Sequence, residues 1–174
     1  MPTGTNTMFF IKKSQVLKHK RVTYAKFVCD YRPQKEEVRR TRLVVGRNLI
    51  VYDGELSTPT ADLTTAKLLF NSVLSTPNAR FLGLDIKDFY LNTIMKEFEY
   101  IKIPIKLIPQ EIIDQYNLME LVAPYGCVYI EVRKGMYGLP QAGILAQQQL
   151  IQHLKPFGYY PCPYTHGLWC HKTN

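Results

Sequence analysis

Residues 127–154 read CVYIEVRKGMYGLPQAGILAQQQLIQHL and contain a strand pattern that is followed closely by a helix pattern. Over 127–135 apolar and polar residues alternate, which is typical of a strand with one buried face. The helix pattern opens at Pro140, because proline suits the first turn of a helix. Its apolar residues recur at helical spacing: Ile144, Leu145, Ile151 and Leu154. This stretch therefore predicts a helix that packs on a sheet.

Further elements are predicted on the N-terminal side of this stretch. Two β-branched apolar runs flank Gly46-Arg47-Asn48, which predicts a hairpin over residues 38–52. Apolar residues at spacings of three and four predict a helix from Thr60 with one face packed inward, opened by Pro59. The remaining elements are strands over 80–92 and 99–106, and a short helix over 109–118. Together these elements predict an α+β fold, with helices on one face of a largely antiparallel sheet.

Composition favours a globular protein of ordinary domain size. The chain has 174 residues, of which 46% are hydrophobic and 21% charged, and this balance is typical of a packed core rather than of disorder. No apolar run is long enough for a membrane-spanning helix, and the first residues lack a secretory signal pattern. Four cysteines without a CxxC pair do not suggest a disulfide scaffold. We expect an intracellular protein.

The net charge of +8 is unevenly placed along the chain. Residues 1–48 hold 12 Lys or Arg and 3 Asp or Glu, whereas residues 49–174 hold 10 and 11. Such an excess indicates either a surface that faces phosphate groups or a solvated N-terminal segment. Aromatic residues interleave with the cations over 22–33, which favours an ordered segment.

Asp85 is the first candidate for chemistry, because the predicted strand over 80–92 would place it among apolar residues. A buried carboxylate is costly unless it finds a partner, and a divalent metal ion is one such partner. The alternative is a solvated or capping Asp at the end of a strand. Asp88 would join Asp85 only if the chain turned at Lys87.

Four segments carry a family resemblance. FLGLDIKDFYLN (81–92), followed about forty residues later by YIEVRKGMYGLPQAGILA (129–146), resembles the polymerase core of copia-type retrotransposon reverse transcriptases. RRTRLVVGR (39–47) is similar to the fingers segment of that family, and LTTAKLLFNSVLS (63–75) to the helix between fingers and palm. The resemblance implies a fingers and partial palm architecture, with an N-terminal basic segment at 1–20, fingers at 21–79 and palm at 80–174.

The resemblance also implies roles for single residues. Asp85 would be the first catalytic carboxylate and would bind Mg²⁺ together with the backbone carbonyl of Ile86. Residues near the incoming deoxynucleoside triphosphate would be Asp88, Tyr90, Arg40, Arg42, Arg47, Tyr137, Gly138 and Gln141. The implied partners are this triphosphate and an RNA or DNA template-primer.

One family motif is absent. Reverse transcriptases complete a two-metal site with adjacent aspartates in a Y-x-D-D hairpin, and the 174 residues contain no adjacent aspartates. We therefore expect an incomplete, inactive polymerase core, whose intact ancestor performed template-directed nucleotidyl transfer. The alternative is a non-catalytic nucleic-acid-binding remnant with a basic fingers surface. Core packing accounts for Cys162, His166, Cys170 and His171 better than zinc, because adjacent ligands in a strand point apart.

Overall fold

The computed structural model describes residues 4–58, 60–80 and 85–173. Seven strands and three α-helices follow one another in this part of the chain. The strands are β1 (Met8–Ile11), β2 (Val22–Tyr31), β3 (Arg39–Val45), β4 (Ile94–Pro104), β5 (Cys127–Lys134), β6 (Tyr159–Pro161) and β7 (Trp169–His171). The helices are α1 (Leu63–Ser75), α2 (Gln110–Gln115) and α3 (Ala142–Leu154). The fold is mixed α and β.

The main sheet has five strands in the order β1-β5-β4-β2-β3. All neighbours are antiparallel except β2 and β4, which pair in parallel from Val22–Tyr100 to Tyr24–Lys102. A second sheet contains only β6 and β7. The prediction of a largely antiparallel sheet is therefore confirmed.

The core lies where β4 and β5 pair. Ile101 and Ile130 face each other across the two strands and are almost fully buried, together with Val128 and Val132. Burial of such side chains contributes about 1.5–3 kcal/mol each. Helix α3 closes this core with Ala142, and Leu145 of the predicted apolar pattern packs against it.

The predicted hairpin over 38–52 is wrong in its pairing. Strand β3 ends at Val45 and pairs with the preceding strand β2, and a 3-10 turn over Arg47–Leu49 follows it. Sequence reasoning chose Gly46 as the reversal point because glycine is common in turns. The glycine instead lies against the ring of Tyr24, where a Cβ would be 2.5 Å from the ring.

Other predictions differ in part. The predicted strand over 80–92 falls partly outside the described residues, and residues 87–92 form turns. Pro59, predicted to open the first helix, also lies outside them, and Asp62 is the N-cap of α1. The prediction that one face of this helix packs inward is wrong too, because α1, which the structure describes in full, has no buried residue. The strands over 99–106 and 127–135 and the helices over 109–118 and 140–154 are confirmed within a few residues.

Four strands were not predicted, the long strand β2 and the three short strands β1, β6 and β7. Strand β1 adds an edge to the main sheet by pairing with β5, from Met8–Val132 to Ile11–Tyr129. Strands β6 and β7 form the small sheet beside α3. No α-helix in the described ranges is long and apolar enough to cross a membrane.

Candidate functional site

The end of β3 meets the turn that follows β5. The backbone N–H of Val45 donates a hydrogen bond of 2.8 Å to the carbonyl oxygen of Tyr137. Gly138 has a φ of 93° and lies so close to β3 that a Cβ would overlap the carbonyl oxygen of Val45. Both the backbone angle and the lack of space require glycine here. The contact fixes the turn against the basic hairpin of β2 and β3.

This contact brings Arg42 to Tyr137. The Arg42 guanidinium carbon lies 6.0 Å from the centre of the Tyr137 ring, within the range of a cation–π contact. Arg42 also forms an ion pair with Asp30 on β2. Its Nε atom is buried and has no hydrogen-bond partner among the described residues. The guanidinium is thus held by an acid on one side and by a ring on the other.

Tyr90 also packs against Tyr137. The two rings meet edge to face, with centroids 5.6 Å apart. The N–H of Thr93 donates to the carbonyl oxygen of Tyr90 over 2.9 Å, and that oxygen leaves no room for a side chain at Gly135. Four candidates from three separate segments therefore meet in one place. We call Arg42, Tyr90, Tyr137 and Gly138 the hairpin–turn cluster.

Two other cationic candidates lie along the same part of the chain. Arg40 is half-buried and faces Asp30 in the register of β2 and β3, on the same side of the hairpin as Arg42. Arg47 is exposed in the 3-10 turn after β3. The basic hairpin therefore presents Arg40 and Arg42 on one face.

Gln141, another candidate, lies buried against β4. Its side chain is 4% exposed, and its Nε2 donates a hydrogen bond of 3.3 Å to Glu99 on β4. The donor end must face Glu99, because a carboxylate can only accept. This side chain is used in a buried contact within the protein.

The Asp85 carboxylate is exposed and lies outside any strand. The expectation that it is embedded among apolar residues of a strand is therefore corrected, and the desolvation argument for a metal ion does not apply to it. No hydrogen bond or ion pair joins Asp85 to another described residue. Ile86 is 41% exposed, and Asp88 has a positive φ of 53° within the turn.

Magnesium prefers several oxygen ligands in one place. The described residues contain no group of three or more His, Cys, Asp or Glu side chains that could hold a metal ion. The residues present therefore do not fit a complete metal site.

A charged group formed by Lys20, Glu97 and Glu99 was not predicted from the sequence. The Lys20 Nζ lies 2.8 Å from Glu97 and 3.5 Å from Glu99, which ties the segment before β2 to β4. Burial works to lower the pKa of Lys20, but the hydrogen bond to Glu97 and the charges of both glutamates outweigh it and raise that pKa. The same hydrogen bond lowers the pKa of Glu97. Lys20 is far from both glutamates in sequence, so no local pattern indicates the contact.

Asp30 was missed as well. It is the single acid among the cations of β2 and β3, and its role as the partner of Arg42 depends on the strand register. The only signal in the sequence was the alternation of side chains along β2, which places Asp30 on the same face as Lys26.

Comparisons with protein-family models, with curated proteins and with solved structures return no match for this chain.

Proposed function

We propose that the chain is a fingers and partial palm portion of a retrotransposon-type RNA-directed DNA polymerase. In this proposal, its 174 residues bind template-primer and a deoxynucleoside triphosphate without joining nucleotides. The supporting observation is the hairpin–turn cluster. Its members come from three segments that the resemblance assigns independently to the triphosphate, and the fold brings them together.

The chemistry of the cluster suits a nucleotide. An arginine guanidinium binds phosphate oxygens through a planar set of donors, and aromatic rings stack on bases or pack against sugars. Arg42 supplies the first function and Tyr137, which is 37% exposed, supplies the second. Asp30 offsets part of the Arg42 charge, so Arg40 on the same face adds the charge that a triphosphate needs.

Nucleotidyl transfer requires carboxylates that bridge two metal ions. The sequence has no adjacent aspartates, and the described residues hold no metal-binding group. Our proposal therefore contains no catalytic step. In a complete polymerase Mg²⁺ would neutralise the triphosphate, and Asp85 and the carbonyl of Ile86 are the groups proposed to face it.

A second candidate is a module that binds nucleic acid alone. It is favoured by two exposed aromatic side chains on one face of the basic hairpin, Phe27 at 41% and Tyr31 at 71%. Both residues share a face of β2 with Cys29, opposite the face that carries Arg42. Exposed rings among cations are typical of surfaces that bind single strands without sequence preference.

Equilibrium binding of a deoxynucleoside triphosphate tests the leading proposal. Tyr137→Ala and Arg42→Gln should each weaken binding about tenfold, because each removes one partner of a cation–π contact and one ligand contact. Tyr125→Ala and Lys106→Gln are matched controls, since both residues are exposed and lie outside the cluster. Circular dichroism checks that every variant is folded.

The outcomes separate the candidates. Unchanged triphosphate binding in both cluster variants, or equal losses in the controls, would contradict the leading proposal. Binding of a labelled oligonucleotide that is weakened by salt and by Tyr31→Ala, with no triphosphate binding, would support the second candidate. Primer extension by the wild-type chain that is lost in Asp85→Asn would show that the chain does join nucleotides.

A further inference from the structure

Two cysteines lie side by side at the end of the small sheet. In the pairing of β6 and β7, Tyr160 faces Cys170 and Pro161 faces Trp169. The N–H of Cys162 donates to Leu168 over 2.8 Å, which extends this register by one residue. Because side chains alternate between faces, Cys162 and Cys170 are diagonal neighbours on one face. Both are free and half-buried, and the interaction between their thiols lowers the pKa of Cys162 and raises that of Cys170.

The surroundings of the two sulfur atoms differ. The backbone N–H of Tyr164 donates to Cys162 and lowers the pKa of that thiol, and Thr165 adds to the effect. Burial raises the pKa of the Cys170 thiol, and the charge of Cys162 raises it further. The two shifts have opposite directions, so Cys162 loses its proton before Cys170 as the pH rises.

Cys162 is also open to a small solute. It lines a pocket of about 290 Å³ between the small sheet and α3, whose wall includes Ile144 and Ile151. The titratable side chains that line the same pocket are Glu55 and His166, and both are exposed. A small peroxide can enter a pocket of this size.

We propose that Cys162 and Cys170 form a peroxide-reactive dithiol that closes into a disulfide. The Cys162 thiolate attacks a hydrogen peroxide oxygen, the O–O bond breaks, and hydroxide leaves with the formation of a sulfenic acid. The Cys170 sulfur then attacks the Cys162 sulfur, the S–O bond breaks, and water leaves as the disulfide forms. In total, two thiols are oxidised and one peroxide is reduced to two waters.

The disulfide would reduce the freedom of the start of α1 to open. Gly167, in the loop between the two cysteines, lies so close to Ala61 that a Cβ would overlap the Ala61 backbone. Closing the loop restricts the hairpin that carries Gly167. Oxidation should therefore make cleavage at Lys67 by trypsin slower, because the helix start loses freedom to open.

Peptide mapping of the full chain after brief peroxide treatment tests the proposal. Complete trypsin digestion leaves both cysteines in one fragment, residues 135–172, because Lys155 precedes proline, while Cys29 and Cys127 lie in other fragments. After alkylation with iodoacetamide, this fragment should carry no label and have lost two hydrogens. Cys29 and Cys127 should be labelled in full.

Single variants identify the roles. In Cys170→Ser, a sulfenic acid should accumulate at Cys162 and be trapped by dimedone, whereas Cys170 should stay reduced in Cys162→Ser. A variant with Cys29→Ser and Cys127→Ser is the matched control and should form the disulfide at the wild-type rate. Without peroxide, alkylation of Cys162 should begin at lower pH than that of Cys170.

The proposal is overturned if the 135–172 fragment of the folded protein takes two labels after peroxide treatment. It is also overturned if Cys29 or Cys127 oxidises as fast as Cys162, because the diagonal pair would then have no special reactivity.

Discussion

At the scale of single residues, Gly138 is the position on which the hairpin–turn cluster depends most. Its backbone angle suits glycine, and its Cα lies against β3. The second property distinguishes it from Gly126, which also has a positive φ but has open space around it. The two glycines therefore allow backbone strain and crowding to be measured separately.

Gly138→Ala should destabilise the protein more than Gly126→Ala. The positive φ costs about 1–2 kcal/mol at either position, and overlap with Val45 adds about 1–3 kcal/mol at Gly138 alone. Urea unfolding followed by circular dichroism measures both values. Equal losses in the two variants would show that β3 can move away from the turn at no cost.

The residue-level predictions from sequence had mixed success for a physical reason. Tyr90, Tyr137, Gly138 and Arg42 were all candidates, and the structure places them together. The contacts of Gln141 with Glu99 and of Arg42 with Asp30 were not foreseen. Each of these contacts is set by strand register or by chain packing, which no local pattern encodes.

At the scale of elements, local periodicity predicted β5 and α3 well because both bury one face in the core. The pairing of β3 was missed because β2 was not predicted as a strand, and the loop over 32–38 carries turn residues as plausible as Gly46. Strand β1 was missed because four residues are too few to show a period.

Helix α1 combines a regular apolar pattern with an exposed surface. Leu63, Leu68 and Leu74 are 70%, 65% and 86% exposed. Because these leucines bury little surface, Leu68→Gln with Leu74→Gln should leave the unfolding midpoint in urea nearly unchanged. The same pair should reduce light scattering at high protein concentration, since exposed leucines promote association.

Ile101→Ala is the matched core control for this pair, because Ile101 is fully buried. It should cost about 2–5 kcal/mol of unfolding free energy. A comparable loss in the α1 pair would indicate that the helix packs on the protein after all.

The ion pair of Lys20 and Glu97 joins the segment before β2 to β4 and should make stability depend on pH at both extremes. The pKa of Glu97 is lowered from 4.5, so its contribution is present above pH 4.5 and is lost as the pH falls through the lowered value. The pKa of Lys20 is raised from 10.5, so its contribution is present below pH 10.5 and is lost as the pH rises through the raised value.

Glu97→Gln tests this expectation through urea unfolding at several pH values. The variant should be less stable than the wild type near pH 7, and the difference should disappear in strong acid. Glu111→Gln is the matched control, because Glu111 is an exposed glutamate in α2 without an ion pair among the described residues. A difference that is the same at all pH values would mean that charge is not the cause.

At the scale of the whole molecule, the uneven charge has a structural counterpart. The cations of residues 1–48 are carried mainly by β2, β3 and the segments that flank them, and β2 and β3 form one side of the main sheet. Because exposed cations attract polyanions over about one Debye length, nucleic acid would approach on this side of the molecule under the proposed function. The charge pattern alone could be predicted from sequence, and its place in the sheet could not.

The position of β5 between β1 and β4 has a consequence for synthesis on the ribosome. Strand β1 is translated more than a hundred residues before its partner β5. Until then, the apolar residues Phe9, Phe10 and Ile11 of the nascent chain have no sheet to join. A chaperone that shields such segments during translation would therefore raise the yield of folded protein, and a pause after residue 134 has emerged would help the sheet to close.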